Sequence, residues 1–112
     1  MLVYTASGHM SAILSRQDRP PLGVSRLETA ARASEKARAD AFNSYLSYAG
    51  TWRIEEDRVV HSVTLSLTPD AVGAENVRNA QLNDGRLTLS YEIVPLSRNK
   101  RTYTLCWKRL CR

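Results

Sequence analysis

From Asp57 to Arg78 the chain alternates. Val59, His61, Val63, Leu65 and Leu67 fall on one side of an extended strand, and Val60, Ser62, Thr64 and Ser66 on the other. A period of two predicts a strand with one dry face and one wetter face. Val59 to Leu67, at roughly 3.3 Å per residue, spans about 30 Å, longer than the usual strand and suited to a strongly curved sheet or a barrel. Its apolar row is interrupted once, by His61.

The same pattern recurs along the chain. Leu2 to Thr5 and His9 to Leu14 read as strands around an Ala6-Ser7-Gly8 turn. Arg16 to Val24, with its Pro20-Pro21 pair, cannot hold a regular element. Ser25 and Glu28 have capping-box spacing at the head of an alanine-rich, charge-alternating stretch. In that stretch Glu28/Arg32 and Lys36/Asp40 are spaced to pair across a turn. Arg38, Ala41, Phe42, Tyr45, Leu46 and Ala49 make a helical face, so a helix is predicted over about residues 35–48, with Gly50 as its terminator. After it come strands at Thr51–Glu55, Arg58–Leu67, Glu75–Leu82, Arg86–Glu92 and Thr102–Leu110. Asn83-Asp84-Gly85 is the strongest hairpin signal, and Pro69 and Pro95 are strand stops. Strands joined by short turns, with one helix, predict a mainly β, antiparallel meander. A sheet of this size curls or closes to hide its edges.

Composition narrows the setting. A chain of 112 residues has room for a single domain, 1–112. With 43% hydrophobic and 24% charged residues it has the balance of a folded protein rather than a disordered one. No apolar run is long enough to span a bilayer, and the opening residues lack the pattern of a signal peptide, so a cytoplasmic protein without a membrane partner is expected. Cys106 and Cys111 are an odd number of residues apart on the last strand, which puts them on opposite faces and works against a bond between them. A net charge of +5 invites a nucleic-acid reading, but the basic residues are scattered over every segment. The one tight run, Arg98-Asn99-Lys100-Arg101, reads as a solvated hairpin tip, so no nucleic acid is expected as a partner.

Three blocks resemble the small lipocalin-like domain family: Tyr4-Thr5-Ala6-Ser7-Gly8-His9-Met10-Ser11-Ala12, Tyr45-Leu46-Ser47-Tyr48-Ala49-Gly50 and Val59-Val60-His61-Ser62-Val63. Pro69 followed by Gly73-Ala74-Glu75-Asn76-Val77-Arg78, and the closing Leu105-Cys106-Trp107-Lys108-Arg109, extend the likeness along nearly the whole chain. Ser62 stands where the family has a second histidine, and Asn76 where it has glutamine. The family's opening G-T-W-x-L strand has no counterpart before Leu2. The resemblance implies a lipocalin-like, calycin-type barrel, complete or incomplete. A missing strand would leave an edge that pairing between two chains could satisfy.

Candidate chemistry centres on His61, which as an inward imidazole needs a hydrogen-bond partner and could serve as acid, base or ligand anchor. A single imidazole does not hold zinc, so neither a metal nor a cofactor is expected. His9 follows a turn glycine and could sit at a barrel mouth or bond the loop backbone. Asn76 and Arg78 share a face with Ala80 and Leu82. Arg78 fits either a carboxylate or phosphate fork or a structural bridge to Glu75, Glu92 or Glu55. Tyr4, Trp52, Tyr103 and Trp107 could line an apolar pocket or simply fill the core. There is no G-x-S-x-G, phosphate loop or paired-carboxylate motif, so no catalytic residue is assigned. The leading expectation is therefore binding of a small apolar or amphipathic molecule, with His61, Arg78 and Asn76 as polar contacts. A cyclase- or isomerase-type enzyme working through His61 and a module completed by homodimerisation are the alternatives.

Overall fold

The alternating segments form one antiparallel sheet in a computed structural model that describes residues 1–93 and 100–110. Its strands are β1 (Leu2–Tyr4), β2 (His9–Ser15), β3 (Tyr45–Glu55), β4 (Arg58–Ser66), β5 (Glu75–Asn83), β6 (Arg86–Ile93) and β7 (Arg101–Lys108). They lie in the sheet in chain order, each paired with its neighbours in sequence. The short turns enforce this meander. At Asn83-Asp84-Gly85-Arg86 both central residues have positive φ, 51° and 75°, the mirror-image turn whose twist matches the flanking strands.

The sheet is rolled. Two strands separate β1 from β4, so in a flat sheet they would stand about 14 Å apart with parallel side chains. Yet the Tyr4 hydroxyl meets His61 Nε2 at 2.5 Å. β1 and β7 do not pair among the described residues, so the roll is a half-barrel rather than a closed one. Its concave face carries the buried Met10, Ala12, Val59, His61, Val63 and Leu89, while Val60 is buried on the other row.

One helix, α1 (Glu35–Asn43), precedes β3, and a single 3-10 segment (Leu27–Arg32) precedes it. The N-cap of α1 is Ser34, whose hydroxyl accepts from the Ala37 N–H at 3.1 Å. The Ser25–Glu28 capping box does not form: Arg26 heads the 3-10 segment without a side-chain cap. At the other end Arg19 donates from Nε to Ser44 Oγ at 2.9 Å and from Nη2 to the Ala41 carbonyl at 3.0 Å, a cation where the helix dipole favours one. The helix stops at Asn43, five residues short of the expected end. Tyr45 to Gly50 are extended because ladders on both sides, to β2 and to β4, claim their backbone groups. In α1 itself no residue is buried.

Gly50 therefore ends no helix. It is buried inside β3, and a Cβ there would lie 1.8 Å from the Ser62 carbonyl oxygen. The close approach accompanies a β-bulge: Gly50 pairs with Val63 and Ala49 with Leu65, leaving Thr64 as the extra residue. The bulge reverses the parity of β4. Leu65, expected beside His61, turns outward and is 69% exposed, and Ser66 takes the inward row opposite Tyr48. Of the expected sequence features, Pro95, Arg98, Asn99 and Cys111 lie outside the described residues. Cys106 is a free, exposed thiol on β7.

Candidate functional site

The centre of the concave face is a three-residue relay. His61 on β4 is 1% exposed. It receives Tyr4 of β1 at Nε2 and Tyr48 of β3 at Nδ1, at 2.5 and 2.7 Å. A neutral imidazole has one N–H and one lone pair, so one hydroxyl donates to the ring and the other accepts from it. Burial, reinforced by the nearby Arg78 charge, lowers the His61 pKa from 6.5 to about 4. Burial also raises the Tyr4 and Tyr48 hydroxyls above their ordinary value, an effect that Arg78 partly opposes at both. At neutral pH the trio is uncharged and both ring nitrogens are engaged. A base that works near neutrality needs a pKa near 7, which His61 does not have. Its role in this geometry is to hold two tyrosines in fixed orientation.

Arg78 supplies the charge. Its strand position, opposite Val59, aims it at the interior, and its guanidinium lies 3.8 Å over the Tyr91 ring. It forms none of the salt bridges the sequence allowed among the described residues. Glu75 and Glu55 pair with Arg53 at 2.6 and 3.5 Å, and Glu92 pairs with Lys100 at 2.9 Å. One Arg78 Nη1–H donates to the Val77 carbonyl at 3.2 Å. Asn76 sits opposite His61 in the ladder, and its amide acts with Arg78 to ease back the raised Tyr48 hydroxyl.

Around these groups is a cavity of about 80 Å³ whose walls include Tyr48, His61, Arg78, Leu89, Tyr91 and Trp107. Leu89 also lines a neighbouring apolar cavity of about 270 Å³, with Tyr4, Trp52, Ile54, Val59 and Leu87. Tyr4, Leu87 and Trp107 border a third space, about 540 Å³, which opens where the ends of β1 and β7 approach each other. The three spaces share walls: Leu89 lies between the first two, Tyr4 and Leu87 between the second and third, and Trp107 between the first and third.

Of the residues singled out by sequence, Tyr4, His61, Asn76 and Arg78 come together. Trp52 packs against Tyr4, ring centroids 5.0 Å apart, and its Nε1–H donates to the Thr5 carbonyl at 3.0 Å. Tyr103 stacks on Tyr91 at 5.3 Å, on the margin of the site. His9 is elsewhere: it is exposed, in the β1–β2 turn region, with Nδ1 3.3 Å from Ser7 Oγ. Tyr48 and Tyr91 were missed. Tyr48 was assigned to the helix, although Leu46, Tyr48, Gly50 and Trp52 alternate as a strand does. Tyr91 follows Leu87 and Leu89 on the same parity, a signal available from the sequence. Among the described residues, no group of three or more His, Cys, Asp or Glu side chains is placed to hold a metal ion, and no helix is long and apolar enough to cross a membrane.

The rolled meander and its concave interior define a lipocalin-like architecture. The family model described as "lipocalin-like domain" matches residues 1–110, and the chain belongs to that family. No curated protein and no solved structure matches the chain.

Proposed function

We propose that the half-barrel binds a small, largely apolar molecule in its concave interior, with Arg78, Asn76 and the His61-held tyrosine Tyr48 at the polar end. The observation that carries this reading is Arg78. A guanidinium without a carboxylate partner among the described residues stands at the wall of a mainly apolar cavity. Arg78 is half-buried, and a partly desolvated guanidinium is a stronger anchor for an anionic partner than one in open water. The neighbouring apolar cavity offers room for the rest of a ligand. His61 acts through the tyrosines it positions.

Titration with Nile red, a neutral hydrophobic fluorophore, tests the reading. One-to-one binding is expected, weakened several-fold by His61→Ala, which releases both tyrosines. Saturating titration of a folded sample with no binding overturns it.

A second reading, self-association, is favoured by the two sheet edges, β1 and β7, which pair with no further strand among the described residues. A monodisperse monomer by light scattering at high concentration removes that reading and leaves the first intact.

A further inference from the structure

We infer that the bound molecule carries a carboxylate, gripped by Arg78 with the Trp107 indole beside it. This rests on the interior being a binding pocket and specifies what the pocket takes.

Apart from the Tyr48 and Tyr91 hydroxyls, which can donate or accept, the polar capacity left over in the small cavity among the described residues is for donating. Both nitrogens of His61 are occupied by tyrosine hydroxyls, so the ring has nothing further to offer. Arg78 has five N–H donors and no acceptor, and among the described residues only Nη1 is used, toward its neighbour's carbonyl. Trp107, across the same cavity wall, keeps its Nε1–H out of solvent with no hydrogen-bond partner among the described residues. An indole N–H can only donate. A buried donor without an acceptor is a rare and destabilising feature, and native proteins keep few of them. Among the described residues the lining contains no Asp or Glu. What the cavity lacks there is therefore an anionic acceptor, the partner that a guanidinium without a carboxylate takes best.

Charge and shape narrow it further. Among the described residues Arg78 is the one cation in the lining, which matches a monoanion rather than a dianionic phosphate ester. The guanidinium carbon lies 3.8 Å over the Tyr91 ring, and Nε and Nη2, which have no partner among the described residues, form the edge that makes two parallel bonds to a carboxylate. A cavity of about 80 Å³ takes such a headgroup and little more. The apolar remainder continues past Leu89 into the space of about 270 Å³ formed with Leu87, Val59 and Trp52. The fitting class is an amphipathic monocarboxylate with an aliphatic or cyclic body.

Competition against Nile red distinguishes this inference from the reading beneath it. Decanoate and decanol share a tail and differ in the headgroup. At about pH 7.5, where a carboxylic acid is ionised, decanoate is expected to displace the dye at concentrations at least about tenfold below those of decanol. Arg78→Met, checked for folding by circular dichroism, should bring the two within about twofold. Trp107→Phe keeps the ring and loses the N–H. It should weaken decanoate several-fold and leave decanol unchanged, which serves if the Arg78 variant does not fold. If Nile red binds but the two competitors are equal, the carboxylate is overturned and the pocket stands. The same holds if the preference survives in both variants. If neither the dye nor decanoate binds the folded protein, as followed by fluorescence and calorimetry, both fall.

Discussion

His61 is where burial becomes a measurable property. The unfolded chain takes up a proton on this ring near pH 6.5, and the folded chain only near pH 4. Between those values the unfolded state binds more protons, so stability rises with pH. It is at full value above about pH 6.5, falls as the solution is acidified toward pH 4, and levels off below. The difference is about 3 kcal/mol. Urea midpoints measured from pH 7 down to pH 4.5 should follow this slope, and His61→Gln should flatten it; a wild-type midpoint constant over that range contradicts a buried neutral imidazole. Glu75 contributes in a separate window, since its pairing with Arg53 lowers its pKa and is lost only as pH falls through the carboxylate range. The relay offers a second check. Tyr48→Phe removes the partner of Nδ1 and leaves a buried ring nitrogen unsatisfied, at a cost of about 1–3 kcal/mol in denaturant titration.

At the scale of elements, the bulge in β4 decides where side chains point, and Gly50 permits it. A methyl group at Gly50 would overlap the Ser62 carbonyl, which is backbone and cannot swing aside. Gly50→Ala should therefore cost more than about 3 kcal/mol or abolish folding. Gly8 is the control. Its surroundings are open and only its φ of 92° resists a side chain, so Gly8→Ala should cost about 1–2 kcal/mol. Equal effects in thermal denaturation would contradict this account of the β3–β4 contact. The same contact marks the limit of what was legible in sequence. Strict alternation announced β4, and the Asn-Asp-Gly turn announced the β5–β6 hairpin, because each is a local signal. Parity on those strands brought His61, Asn76 and Arg78 to the site. Nothing in Val63-Thr64-Leu65 says that Thr64 is the extra residue, since a bulge is chosen by two strands jointly. Tyr45 to Gly50 were misread for a related reason. They follow an alanine-rich helix without a break and have helical spacing, and only the ladders to β2 and β4 make them a strand.

The molecule as a whole is more open than its length suggests. A radius of gyration of 16.3 Å exceeds the roughly 13 Å of a compact chain of this size, as a half-barrel with a separate surface helix should. Its buried apolar residues come from β2, β4 and β6, and β7 contributes none. Local stability should follow that distribution, because segments with few buried contacts open first. In amide hydrogen exchange the β3 and β4 amides are expected to be the slowest and those of β7 the fastest among the strands. The edges make this measurement decide more than stability. In β7 alternate N–H groups face β6, and the others face outward, with no strand beyond them among the described residues. If two molecules pair through this edge, the outward amides should slow as protein concentration rises from micromolar to millimolar. If the half-barrel works as a monomeric pocket, they should exchange at a concentration-independent rate. A carboxylate ligand should then protect the inner-face neighbours of Leu105 and Trp107 instead, through the mass-action stabilisation that a bound ligand brings.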